Sequence, residues 1–318
     1  MTRSEWESSR AATKETLQRC EYGFLPPQPL SVTVTPQRVD HKFCAGKATL
    51  ETLCLTAAVP GGAVTFPFFY CYLNGAKKQR TVLLLNFRSL VPDKYLPAEE
   101  VIDSGWAFAA VNYEDISCDS AEKDANAALL GYGGQESPGK IALWAWGGSR
   151  MLDYLLTRPE SDPQKIGVAG HSRLGKTALL TAAMDERFAF AHSNDSGTCG
   201  AGLFAAIDEP AEHIRQIVDR FPFWFCGRFA DYVDCEKQMP FDQDLLLSLI
   251  APRPLCVGSA EGDLWANPPG EAAAAEAARR IYALYGAADR VMHYTRSGLH
   301  YLSRQDWNTF LPFFAQFF

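Results

Sequence analysis

Ser172 sits in the run Gly170-His-Ser-Arg-Leu-Gly-Lys176, and its hydroxyl is the group in this sequence best placed to do covalent chemistry. The residues before it, Lys165 to Ala169, carry β-branched Ile166 and Val168, and those after it, Thr177 to Met184, are rich in alanine and leucine. Apolar β-branched residues, then small residues, then good helix formers predict a strand, a sharp turn and a helix, with Ser172 at the apex. A serine hydroxyl is a weak nucleophile, so this placement requires a histidine base and an orienting carboxylate from elsewhere in the chain. The second glycine comes one residue later than in the strict Gly-X-Ser-X-Gly elbow. Gly170, four residues, then Gly175-Lys176-Thr177 also fits a phosphate-binding loop. Such loops usually follow the first strand of a domain, whereas this one lies past the middle of the chain.

The partners must come from the elements around the turn. Thr81–Leu85, Trp106–Val111, Phe188–His192, Leu255–Gly258 and Val291–Tyr294 read as further strands. Tyr95–Ile102, Ile141–Leu156, Glu271–Tyr285 and Asp306–Phe317 read as helices. Alternating strands and helices imply a mostly parallel sheet covered on both faces, and loops at the carboxyl ends of its strands converge on one edge. Asp195, Glu261 with Asp263, and His300 each follow a strand and so meet Ser172 at that edge. The chain order serine, acid, histidine is that of α/β-hydrolases. Of the six histidines, His171 adjoins the serine on a tight turn and is expected to point away, and His192 and His293 lie inside strands. His41 lies in the edge region and His213 in a segment, 200–248, that breaks the alternation and reads as an insertion. His300 remains as the base. Arg173 offers a backbone N–H and a guanidinium to a developing oxyanion, and Lys176 lies one helical turn from Ser172.

The fold class is therefore α/β, an α/β-hydrolase fold in a single domain over 1–318. A helix and antiparallel edge strands occupy 1–75, and the catalytic core spans 76–318. A net charge of −7 without a basic cluster argues against nucleic acid and membrane partners. No apolar run has the length of a membrane span, and the first residues lack the apolar core of a signal peptide, which points to a cytoplasmic protein. The nine cysteines are scattered and read as buried free thiols. None is spaced as a zinc site, so neither a metal nor a cofactor is expected.

The serine motif, with Asn194-Asp-Ser-Gly197, Phe221-Pro-Phe-Trp-Phe-Cys226, Pro240-Phe-Asp-Gln243, Leu249-Ile-Ala-Pro-Arg-Pro254, Asp263-Leu-Trp265, Gly298-Leu-His300 and Asp306-Trp307, resembles the glucuronoyl esterases of carbohydrate esterase family 15, bacterial branch. The resemblance covers roughly 80–318. It implies a metal-independent serine esterase acting on alkyl or aryl esters of (4-O-methyl-)glucuronic acid, as small molecules or oligosaccharides, through an acyl-enzyme. By motif, Ser172 is the nucleophile, His300 the base and Arg173 the oxyanion stabiliser, while Lys176 and Trp265 hold the sugar. The family often places its acid in the loop of Asp195, and some bacterial members place it where Asp263 lies. Asp195 is preferred here over Asp263. Glu261 ranks behind both and is grouped with the substrate-binding residues. Many relatives carry arginines in the segment matching Gly200–Ile207, and this chain does not. An acetyl esterase on xylan oligosaccharides and an inactive carbohydrate-binding hydrolase fold are the alternatives.

Overall fold

The computed structural model describes residues 1–208 and 210–318. Its centre is strand β4 (Gln79–Asn86), whose Thr-Val-Leu-Leu-Leu run alternates between two faces. Leu83 and Leu85 enter one core, Val82 and Leu84 the other. A strand apolar on both faces can only be satisfied inside a sheet covered on both sides. Among the described residues the sheet has nine strands in the order β1-β2-β3-β5-β4-β6-β7-β8-β9. The remaining strands are β1 (Ser31–Lys42), β2 (Ala48–Val59), β3 (Gly62–Leu73), β5 (Ala107–Asn112), β6 (Ser161–His171), β7 (Ala191–Asn194), β8 (Leu255–Ala260) and β9 (Val291–Arg296). The first three form an antiparallel meander, joined antiparallel to β5 through Phe69 to Cys71. From β5 to β9 every pairing is parallel.

Helices Arg3–Leu17, Lys140–Leu155, Arg173–Met184 and Pro268–Ala283 cover one face, with Trp6, Trp144, Leu179 and Ala278 in its core. Helices Ala98–Asp103 and Arg304–Ala315 cover the other, through Ile102, Trp307, Phe310 and Phe314. The described residues of the segment 200–248 include short helical pieces, and this segment caps the helix Lys140–Leu155, whose Lys140 and Ile141 N–H groups donate to Phe223 and Trp224 carbonyls. That contact satisfies two of the N–H groups that a helix start leaves without partners.

One strand is shifted from its expected place. The segment Phe188–His192 alternates aromatic and small residues like a strand, yet the ladder runs over Ala191–Asn194. Phe190 instead lays its ring against Gly167, where a Cβ would lie 2.2 Å from the ring, and packs on Trp106 and Phe314. Its alternation reflects a packing need rather than a ladder position.

The turn after β6 is sterically the tightest part of the fold. A Cβ at Gly170 would stand 2.0 Å from the Leu174 carbonyl oxygen, a backbone atom that cannot rotate away. Gly170→Ala is expected to destabilise the protein by at least about 2 kcal/mol. At Gly148, inside a helix, a Cβ would meet Thr181 at an ordinary 3.5 Å, so Gly148→Ala should be neutral or stabilising. Thermal unfolding of the two variants checks the contrast.

Candidate active site

Ser172 is held between β6 and the helix Arg173–Met184 at φ 59°, ψ −130°, a backbone region costing a non-glycine residue about 1–3 kcal/mol. Neighbouring contacts hold it there. The Ser172 N–H donates to the Asn194 carbonyl at 2.8 Å, and the Ser172 carbonyl accepts from Gly175 N–H at 2.8 Å. Gly175 lets the helix approach β7, since a Cβ there would lie 2.9 Å from Ser193 Oγ. The turn therefore exposes the serine at the start of a helix, whose first N–H groups have no intrahelical partner and carry partial positive charge. The backbone N–H of Arg173 is the first of these.

His300 and Asp263 complete a chain of contacts. His300 Nε2 lies 2.8 Å from Ser172 Oγ, and Nδ1 lies 2.5 Å from Asp263 Oδ2. A carboxylate only accepts, so Nδ1 carries the proton and Nε2 is left to accept the serine's. The two loops that supply these residues are tied together, with Gly262 N–H donating to the Gly298 carbonyl at 3.0 Å. A turn closed by Asp263 N–H on the Ala260 carbonyl swings Asp263 inward. The same turn leaves Glu261 exposed and outside the cleft lining, against its expected place among the substrate-binding residues.

Asp195, the acid preferred from the sequence, is not the one against His300. Its Oδ1 accepts from Ala260 N–H at 2.6 Å, and its Oδ2 faces the Arg296 guanidinium at 3.1 Å and Tyr301 N–H at 3.4 Å. Burial pushes its carboxyl up to about 6, against the pull of Arg296. Its two oxygens are thus occupied by Ala260 on one side and by Arg296 and Tyr301 on the other. Arg296 also donates to Asp306 at 2.8 Å and to the carbonyls of Ser297, Leu299 and Tyr301, which fixes the loop carrying His300. The neighbouring Ser196 and Gly197 N–H groups donate, each at 2.8 Å, to Glu271, whose carboxyl is pushed by burial up to about 7.

His171 does not simply point away. Its ring packs beneath His300 with centroids 4.4 Å apart, and Nδ1 meets Asn194 Oδ1 at 2.7 Å. Burial, with the neighbouring His300, lowers its pKa to about 3. Ligand-type atoms of His171, Asp195 and His300 lie within 4.8 Å of one another, but Asp195 already faces Arg296, so a cation there would meet a guanidinium.

These groups open onto a cleft of about 400 Å³. Lys176 lines it, yet its Nζ donates to the Ser196 and Thr198 carbonyls at 2.5 and 2.6 Å and stands 3.8 Å from Glu212. Thr177 Oγ1 donates back to the Arg173 carbonyl, so the lysine and hydroxyl of a phosphate loop are both engaged within the protein. The Arg173 guanidinium pairs with Asp119 and lies 4.6 Å from the centroid of the Trp224 ring. Asp119 also accepts from Trp224 Nε1 at 2.8 Å and Tyr113 OH at 2.7 Å. Trp265, 40 % exposed, lines the cleft too. Asp119, Glu212, Arg220 and Arg296 were not found from the sequence. Asp119 follows β5, so the convergence of post-strand loops could have flagged it. Glu212 and Arg220 lie in the irregular segment, where no periodicity locates them.

The neutral His171 links stability to pH. An unfolded histidine takes up a proton below about 6.5, whereas this one does so only near 3, so the unfolded state binds more protons and acid favours it. His171→Gln should weaken the fall in melting temperature between pH 6.5 and 4 relative to the native protein, as measured by calorimetry.

Residues 94–286 match the sequence profile of the family described as glucuronyl esterase, fungi. The chain is 40 % identical over 190 residues to carbohydrate esterase MZ0003 from an unknown prokaryotic organism, covering 55 % of this chain and 44 % of that protein. It is 30 % identical over 269 residues to a 4-O-methyl-glucuronoyl methylesterase of Podospora anserina, covering 80 % of this chain and 51 % of that one. The chain thus spans about half the length of these two curated relatives. Among solved structures it resembles a glucuronoyl esterase from Solibacter usitatus, with TM-score 0.90 and 29 % identity over 99 % of this chain and 94 % of that one. With the profile matching more than half of its length, and the α/β-hydrolase sheet in common with these structures, the chain belongs to the glucuronyl esterase family.

Proposed function

We propose that this chain is a serine esterase that hydrolyses alkyl or aryl esters of glucuronic acid through an acyl-enzyme. The observation that carries the proposal is the contact chain Ser172 Oγ–His300 Nε2–Asp263 Oδ2, at 2.8 and 2.5 Å. Ser172 attacks the ester carbonyl while His300 takes its proton, and Asp263 fixes the tautomer and stabilises the imidazolium. The Arg173 N–H, with the helix start behind it, receives the negative charge that develops on the carbonyl oxygen. His300 then returns the proton to the departing alcohol, and water activated by the same histidine releases the uronate. Asp263 is the acid, and Asp195 holds the β8 end and the histidine loop in place.

The uronate part of the proposal draws on the relatives, which are named for glucuronoyl esters. It is supported by a cleft in which polar groups such as Glu212 and the aromatic face of Trp265 lie side by side, a set suited to sugar hydroxyls and a stacked sugar ring. Trp265 stacks on the sugar, and Lys176 shapes the cleft floor beneath it through the Ser196 and Thr198 carbonyls. No helix among the described residues is long and apolar enough to cross a membrane. Nine free cysteines support a reducing, cytoplasmic setting, in which the substrate is a small or oligosaccharide uronate ester. The unbroken sheet from β1 to β9 supports treating 1–318 as one unit.

Hydrolysis of benzyl glucuronate and of 4-nitrophenyl acetate by the native protein and Ser172→Ala tests the proposal. Uronate cleavage that disappears in the variant is expected. Cleavage of the acetate alone would replace the uronate with an acetyl group, and silence on both would favour a protein that binds carbohydrate without cleaving it. Asp263→Asn should lower kcat by about 10³–10⁴. Asp195→Asn should lower melting temperature while retaining most of kcat, and the opposite pattern would return the acid to Asp195.

A further inference from the structure

Among the described residues, the charges that line the cleft pair off with one exception. Its cations are Arg173, Lys176 and Arg220, and its carboxylates are Asp195, Glu212 and Asp263. Arg173 is taken by Asp119 behind the wall, and Lys176 by two carbonyls and Glu212. Asp195 is taken by Arg296, and Asp263 by His300. Arg220, the last residue of the helix Ile214–Arg220, is exposed and forms no ion pair among the described residues. Nor is it loose, because its guanidinium lies 5.3 Å from the Phe221 ring centroid. Phe221 in turn stacks parallel on Trp224 at 3.9 Å. A guanidinium resting on a fixed aromatic platform is partly pre-ordered, so less freedom is lost when it meets an anion.

We propose that Arg220 forms an anion subsite of the cleft, and that the favoured substrate carries a free carboxylate in addition to the ester that is cleaved. This inference rests on the esterase reading above. The scissile group cannot be the anion in question, because an ester is neutral until it is hydrolysed. The planar, two-pronged donor pattern of arginine suits a carboxylate. The acyl half of the substrate is itself a uronic acid, so an unesterified neighbouring uronate is the nearest chemical source of that carboxylate. An acidic alcohol portion is the other source. Arg220 acts on selection and not on bond breaking, so its effect falls on KM.

The test compares three substrates with the native protein, Arg220→Ala, Arg220→Lys and Arg220→Glu, at low and high salt. They are benzyl glucuronate, 4-carboxybenzyl glucuronate, and the benzyl monoester of a diuronic disaccharide. The native protein should prefer one acidic substrate over the neutral one by about fivefold in kcat/KM, mainly through KM, as befits a charged contact at a solvent-exposed site. The preference should vanish in Arg220→Ala, persist in part in Arg220→Lys, invert in Arg220→Glu and shrink as salt screens it. Preference for the carboxybenzyl ester places the subsite on the alcohol side, and preference for the diuronate places it on the sugar side. No acidic preference in the native protein, or one that survives in Arg220→Ala, overturns the inference while leaving the esterase reading intact. Native protein inactive on all three overturns that reading, and the inference with it.

Discussion

Everything at the site depends on how closely the helix Arg173–Met184 approaches the strand before it. The Leu174 carbonyl occupies the place where a side chain at residue 170 would begin, and at Gly175 a Cβ would lie 2.9 Å from Ser193 Oγ and 3.2 Å from the Asn194 carbonyl oxygen. With both neighbours reduced to glycine, the chain turns in so few residues that Ser172 is driven to positive φ. The strain is offset by hydrogen bonds to the serine's own N–H and carbonyl and by the packing of the helix. What results is a hydroxyl raised above the sheet edge at the positive end of a helix, reachable by a histidine from a loop more than a hundred residues away in sequence.

A second constraint fixes that histidine. Arg296 and Asp306 are both almost wholly buried, and such charges are tolerated only when every donor and acceptor is used. Asp306 takes hydrogen bonds from Arg296, Tyr294 OH and the Ser303 N–H and hydroxyl. Arg296 spreads its remaining donors over Asp195 and the carbonyls around His300. The network holds the loop by its backbone and leaves the imidazole free to meet Ser172 on one side and Asp263 on the other. It also accounts for the different contacts of the two aspartates. Asp195 is drawn to a fixed guanidinium, while Asp263, on the next loop, is left to orient the histidine.

The cleft follows from the same economy of charge. Its inner cations are answered from within the protein, which keeps a buried lysine and a half-buried arginine from destabilising the fold. Lys176 thereby braces the Ser196–Thr198 backbone at the cleft floor, and Arg173 braces the Trp224 wall through Asp119. Arg220 at the rim is in contact with water, so its charge has no comparable burial cost to offset.

The sequence by itself determined the parts that rest on local pattern. The strand, glycine-flanked serine and helix, the alternation that builds a parallel sheet, and the placing of His300 after the last strand all follow from periodicity and from the steric demands of a tight turn. Where the pattern had two causes it misled, as with Phe190, whose ring packs over Gly167 while the ladder runs over Ala191–Asn194. Which aspartate lies against His300, the engagement of Lys176 and Arg173, and the exposed cation at Arg220, unpaired among the described residues, were decided only in the tertiary structure. Each depends on which of several distant charges lies nearest, within a few ångströms, and on the length of one side chain against the fixed position of another. Residue order along the chain carries no record of those distances, because folding sets them all at once when the loops close over the sheet edge.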